Sequence, residues 1–319
     1  MKALFHPERY HGWGKNRKYF EGWYYKVITA DEKSAFAFIP GIAMDAQGSK
    51  QAFIQVLDGI KQTSDYIRFP VEDFNSGANY FTTTIGNNSF ALDKMLLDLE
   101  NVRGELYFAN PVPWPNHWYS PGIMGPYAFV PFMECYHGVL SMNHEIRGSL
   151  NIDGRDINFN GGRGYTEKDW GHSFPSAYIW MQTNHFSQQG VSLKASVAKI
   201  PWLGSSFVGF IAGLYYNQEI IQFTTYNGSR LVRSVAGVDV AEVVMENKNY
   251  LLEIVVHRNK ATELASPVSG FMDGRISESM TSTLDVKLTD KQNGKIAFND
   301  TGRNAAVEIA GKIDEITID

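Results

Sequence analysis

Apolar and polar residues alternate along most of this chain with a period of two. In Thr283–Thr289, Leu284, Val286 and Leu288 share one face, and Asp285 and Lys287 share the other. Leu252, Ile254 and Val256 stand in the same way opposite Glu253 and His257. This alternation predicts half-buried antiparallel strands. Asp153-Gly154, Asn227-Gly228, Asp273-Gly274 and Asn293-Gly294 fall between such runs. They predict type I′ turns, which need positive φ at both central residues. Asp153-Gly154 is the firmest hairpin, flanked by Leu150, Ile152, Ile157 and Phe159. No amphipathic helix of three turns is evident, and Ala91–Glu100 fits a helix or a strand equally well. About twenty strands fit the chain, more than a strongly twisted open sheet ordinarily holds. The glycine cluster Asn160–Gly164 is the best break, giving predicted domains 1–160 and 161–319. Each has the size of a barrel of about eight strands. The predicted architecture is therefore all-β, two antiparallel barrels packed together.

Composition narrows the partners. Lys and Arg number 29 against 34 Asp and Glu, a net charge of −5, which removes the electrostatic basis for nucleic-acid binding. A single cysteine, Cys135, excludes an intramolecular disulfide and any zinc site of several thiolates. The N-terminus lacks a signal-peptide apolar stretch. The longest stretch of only apolar, Gly and Pro residues is Pro121–Met133, thirteen residues, where a spanning helix needs about 20. The expectation is a soluble, cytoplasmic protein. The chain is rich in aromatics: 7 Trp, 16 Tyr and 20 Phe, gathered at 19–25, 107–136 and 165–186. That clustering fits either packing at a domain interface or an apolar cavity for a large hydrophobic ligand.

The densest polar-aromatic segment is Gly164–Phe186, with Glu167, Lys168, Asp169 and His172 among Tyr165, Trp170 and Phe174. A carboxylate held against aromatic surface can become a proton donor, because desolvation disfavours the anion. Beyond Pro175 the alternation puts Tyr178, Trp180, Gln182 and Asn184 on one strand face, where the amides read as polar handles in an apolar pocket. Glu21, Trp23 and Tyr25 share another face, and a buried Glu21 there needs a partner; Lys26 points away. Glu134, His137, His144 and Glu145 form a weak candidate metal cluster without His-Glu-x-x-His spacing, so no metal is expected. Cys135 beside His137 is a weak candidate nucleophile, since a lone strand cysteine is more often a small buried hydrophobe. Hydrolase elbows, phosphate loops and dinucleotide fingerprints are absent.

Three motifs, Tyr-Phe-Glu-Gly-Trp-Tyr-Tyr-Lys (19–26), Pro-Phe-Met-Glu-Cys-Tyr-His-Gly (131–138) and Gly-Tyr-Thr-Glu-Lys-Asp-Trp-Gly-His-Ser-Phe-Pro (164–175), resemble the tocopherol cyclase family. The Trp180–Phe186 segment is similar as well; beyond Trp202 only generic β pattern remains. The resemblance implies a two-domain lipocalin-like (calycin-type) fold, shared with carotenoid hydratases. It implies an isomerase or lyase reaction without cofactor: redox-neutral, acid-catalysed closure of a prenylated benzoquinol to a chromanol through a tertiary carbocation. Rings can stabilise that cation, each by up to about 2 kcal/mol when desolvated. On this reading Asp169 or Glu167 is the acid and His172 a proton relay. Tyr165, Trp170 and Trp180 face the cation, while Gln182 and Asn184 orient the quinol oxygens. Tyr178, Trp23, Glu21, Glu134 and His137 complete the candidate lining. Photosynthetic members often carry Asn where this chain has Asp169, which favours Glu167 as the acid. The partner is then a hydrophobic small molecule, a prenylquinol or other isoprenoid. A lipocalin-like lipid carrier without catalysis is the alternative. Peripheral membrane contact fits such a substrate, although no basic amphipathic segment marks it. The oligomeric state is not legible.

Overall fold

The computed structural model describes residues 2–319, and the chain is all-β. Helical turns among the described residues are limited to four short 3-10 segments. The chain divides into two compact units: residues 1–174 with 264–275, and residues 175–263 with 276–319. The division thus falls at Phe174–Pro175 and not in the glycine cluster at 160–164. The reason is pairing: the Gly162–Gly171 strand lies between Tyr19–Ile28 and Cys135–Ile152, both strands of the first unit.

The first unit carries a twelve-stranded antiparallel sheet, and the strands of the second belong to a ten-stranded one. Each unit has its own core. In the first, the odd-numbered side chains Trp23, Tyr25 and Val27 join Phe38, Ile54, Leu106 and Ile146. In the second, Ile179, Met181, Leu193, Val197, Ile254, Leu284 and Val307 do the same. The alternating runs Leu252, Ile254, Val256 and Leu284, Val286, Leu288 therefore both point inward as the sequence pattern requires.

Turn chemistry is followed at Asp153-Gly154, with φ of 52° and 77° between the paired Ile152 and Arg155. Asp273-Gly274 departs from expectation, because both residues lie inside the Phe271–Asp290 strand. The turn forms instead at Ser269-Gly270, with φ of 49° and 89°. A Cβ on Gly270 would meet the Tyr19 nitrogen at 2.1 Å, so close backbone approach as well as φ selects glycine there. The Ala91–Glu100 segment resolves as a strand over Lys94–Asp98.

Two strands depart from simple alternation of burial. Tyr19–Ile28 is buried at nine of ten positions and Ala177–Thr183 at all seven. A strand buried on both faces reads as continuous apolar or aromatic sequence, not as an alternating one.

Candidate active site

The Gly162–Gly171 strand carries two different polar clusters, one on each face. Period-two alternation sends Tyr165, Glu167 and Asp169 one way and Lys168 and Trp170 the other. In the paired strands Asp169 lies opposite Gly22 and His137, and Glu167 opposite Tyr24 and Val139.

On the first face the imidazole of His137 sits between the two carboxylates. Its Nδ1 is 2.8 Å from Asp169 Oδ1, and its Nε2 is 3.4 Å from Glu167 Oε2. The Tyr165 hydroxyl donates to Glu167 Oε2 at 2.5 Å. Glu167 is buried, and Tyr165 is fully so. Burial, and then the Glu167 carboxylate, push the Tyr165 hydroxyl well above its usual range, so it stays a proton donor. The Cys135 thiol approaches Asp169 Oδ1 at 3.8 Å. Burial and the Asp169 charge push that thiol up as well, which leaves it a thiol and not a nucleophile.

The His137, Glu167 and Asp169 ligand atoms all lie within 4.8 Å of one another. Nδ1 is hydrogen-bonded to Asp169, while Nε2 lies near Glu167 without a hydrogen-bond partner of its own among the described residues. The same three side chains could share a metal ion or, with a small rotation of the ring, pass a proton between the carboxylates.

The opposite face holds a balanced ion pair. Glu21 and Lys168, both fully buried, are in direct contact. Lys168 Nζ also donates to the Arg9 carbonyl and to His11 Nδ1, the latter at 2.8 Å. It lies 4.8 Å from the Trp23 ring and 4.9 Å from the Trp170 ring. Glu21 accepts the His11 backbone N–H on both oxygens at 2.9 Å, and the Tyr19 hydroxyl besides. Burial pulls the Lys168 ammonium down to about 8, against the opposing pull of Glu21. Burial alone would raise the Glu21 carboxyl, but Lys168 and His11 outweigh it and hold it below the usual carboxylate range. Both groups are ionised at neutral pH.

The residues expected to act together are therefore separated. Tyr165, Glu167, Asp169 and His137 meet. Trp170, Trp23 and Glu21 belong to the other face, where Trp170 stacks on His11 at 4.3 Å and on Tyr136 at 5.5 Å. Strand alternation places adjacent residues on opposite sides, so Trp170 cannot face a cation formed beside Asp169. The expected relay, His172, makes main-chain bonds: its N–H donates to the Glu134 carbonyl, and its carbonyl accepts from Gly270. The imidazole that reaches both carboxylates is His137. Glu134 is half-buried, which raises its carboxyl.

In the second unit Tyr178, Trp180 and Gln182 share the face turned from the core, and Asn184 follows the strand end; all are buried. Tyr178 donates to Glu308 Oε2 at 2.8 Å. Gln182 pairs in register with Lys194, a fully buried lysine bonded to Ser196 Oγ at 2.9 Å. The sequence pattern gave no reason to select Lys194 or Glu308, since charged residues alternating with Leu193 and Val197, or with Val307 and Ile309, look like a solvated face. His11, and the partners of Lys168, are not legible for a related reason: the Lys168 contacts with Arg9 and His11 span 159 and 157 residues of chain.

A family model described as tocopherol cyclase-like matches residues 106–311, about two thirds of the chain. The chain belongs to the tocopherol cyclase-like family. Two curated plant relatives align over nearly the whole chain. A protein of Oryza sativa subsp. japonica, described as a probable chloroplastic tocopherol cyclase, is 22% identical over 95% of this chain and 77% of its own length. The chloroplastic tocopherol cyclase of Zea mays is 22% identical over the same shares. Among solved structures, CghA with Sch210972 superposes with a TM-score of 0.60 at 11% identity, covering 92% of this chain and 89% of that one. This likeness concerns the fold, which is the lipocalin-like two-domain arrangement expected from the motifs.

Proposed function

We propose that this family member catalyses redox-neutral ring closure of a prenylated benzoquinol to a chromanol by protonating its alkene. The observation that carries the reading is His137 held between Glu167 and Asp169, with the Tyr165 hydroxyl on Glu167. Two carboxylates share one imidazole, so even a charged ring leaves an excess anion in a desolvated site. The reading requires that Glu167, buried and bonded to the Tyr165 hydroxyl, hold a proton when the alkene arrives.

In the proposed sequence Glu167 delivers its proton to the less substituted alkene carbon, and the alkene electron pair forms the new C–H bond. A tertiary cation results. Tyr24, across the sheet from Glu167, and Tyr165 present aromatic surface to it. The phenolic oxygen attacks the cation, a C–O bond forms, and the O–H proton returns through His137 to Glu167. Asp169 fixes the His137 ring through Nδ1. The product is an isomer of the substrate, with no electrons gained or lost.

The test is incubation of the full chain with prenylated benzoquinols of different chain length, followed by mass spectrometry. An isomer of unchanged mass with altered retention supports the reading. A product heavier by one water makes the enzyme a hydratase, and recovery of bound, unreacted quinol makes it a carrier; either result overturns it.

A further inference from the structure

We propose that one end of the first unit docks on an anionic lipid bilayer. Register identifies this end. Tyr19 pairs with Met44, Met44 with Lys50, Phe20 with Gly171, and Gly171 with Cys135. The segment before Tyr19, the 45–49 turn and the segment before Cys135 therefore leave the sheet at the same end.

Residues 110–133 contain no Asp, Glu, Lys or Arg in 24 positions, yet they lie largely at the surface. Trp118 is 81% exposed and Tyr119 57%, their rings 5.5 Å apart, edge to face. Phe129, also exposed, packs on Phe5 at 6.5 Å. Asn116 donates to the Phe5 carbonyl at 2.8 Å, which ties this segment to the N-terminal one. Further along that N-terminal segment, Trp13 is 58% exposed and Lys15, Arg17 and Lys18 are exposed beside it.

The charge pattern argues for the occupant. Three cations fall within four residues on a chain whose net charge is −5, and exposed Lys50 adds a fourth at the same end. The nearby acid Asp45 is engaged by the Gln47 and Ser49 amides. Trp and Tyr are the residues that settle at the bilayer–water boundary, and cations beside them meet anionic headgroups. An uncharged aromatic loop with a cationic neighbour fits that boundary on both counts. The inference does not depend on the reaction proposed above.

The test is co-sedimentation of the full chain, without substrate, with vesicles of phosphatidylcholine plus phosphatidylglycerol and with vesicles of phosphatidylcholine alone. The wild type should pellet with the anionic vesicles, and less so as salt rises. The triple reversal Lys15→Glu, Arg17→Glu, Lys18→Glu should weaken partition by about a hundredfold or more. Trp118→Ser with Tyr119→Ser should weaken it by about tenfold and reduce the vesicle-induced part of the tryptophan emission shift, Trp13 supplying the remainder. Circular dichroism should be unchanged, because every altered side chain is exposed. Wild type left in the supernatant, equal binding to both vesicle types, or variants that pellet like the wild type would each overturn the proposal.

Discussion

Replacing Lys168 by Met tests the balanced ion pair on the core face of the Gly162–Gly171 strand. Lys168 and Glu21 are both fully buried, so removing the ammonium strands a carboxylate out of water. Breaking one partner of a buried pair typically costs about 3–5 kcal/mol. Glu21 keeps the His11 N–H and the Tyr19 hydroxyl, which places the expected cost of Lys168→Met near the lower figure. Glu21→Gln strands the cation instead. Lys168 already titrates at about 8 and can shed its proton, so this variant should cost less, about 1–2 kcal/mol. The double variant removes both charges and should be more stable than the sum of the single losses by about 2 kcal/mol. Denaturant unfolding followed by tryptophan fluorescence is the assay, because the Trp23 and Trp170 rings lie 4.8 and 4.9 Å from the ammonium. Additive single costs, or a Lys168→Met loss under about 1 kcal/mol, would refute the reasoning.

Three further outcomes are expected. Glu167→Gln should lower turnover by about a hundredfold to ten-thousandfold while the fold is kept, and Asp169→Asn should lower it less; the reverse order transfers the acid's role to Asp169. Gly164→Ala should destabilise by about 1–3 kcal/mol, since a Cβ there meets His144 Nε2 at 2.1 Å, and His144→Ala should recover most of that loss in thermal unfolding. Buried His144, packed on Phe108 at 4.6 Å, is pushed down by desolvation from 6.5 to about 3. Below pH 6.5 the unfolded chain takes up a proton that the folded chain refuses, so stability should fall by about 1.4 kcal/mol per pH unit until the folded value is reached. His144→Leu should flatten that acid branch, and an unchanged slope in unfolding free energy between pH 6 and 4 would dispose of this account.

Much of the fold was legible because half-buried strands write their geometry in the sequence. Leu284, Val286 and Leu288, or Asp153-Gly154, needed nothing but period and turn chemistry. Legibility failed where both faces of a strand are buried. In Tyr19–Ile28 the aromatic run hides which residues face the core, and only register shows Trp23 inside and Tyr24 opposite Glu167. The candidate site was half legible for the same reason. Its carboxylates are visible as a cluster in sequence, but adjacency in sequence is opposition in a strand, so the sequence groups Trp170 and Lys168 with Asp169 although they lie on the other face. His137 lay within a recognised motif, yet nothing local relates it to Asp169, 32 residues away in the chain. The domain break was drawn at glycines because they are common in loops. The strand that follows them pairs backwards into the first unit.

The two faces of that strand also differ in a way that bears on the proposed reaction. Both clusters contain carboxylates, but Glu21 and Lys168 are fully buried whereas His137 and Asp169 are only partly so. Charge balance separates the two further. On the core face one anion meets one cation; the His11 N–H and the Tyr19 hydroxyl donate to Glu21, and Lys168 donates to the Arg9 carbonyl. Moving a proton there would break a neutral, satisfied unit, and Lys168 remains charged at neutral pH. On the opposite face two carboxylates meet a single imidazole, and the Tyr165 hydroxyl can stabilise but not neutralise them. In the reaction proposed above, Glu167 gives its proton to the alkene, and the restored carboxylate then lies beside the resulting cation. The core-face pair is satisfied as it stands, and the unbalanced face is the one that the proposed proton donation uses.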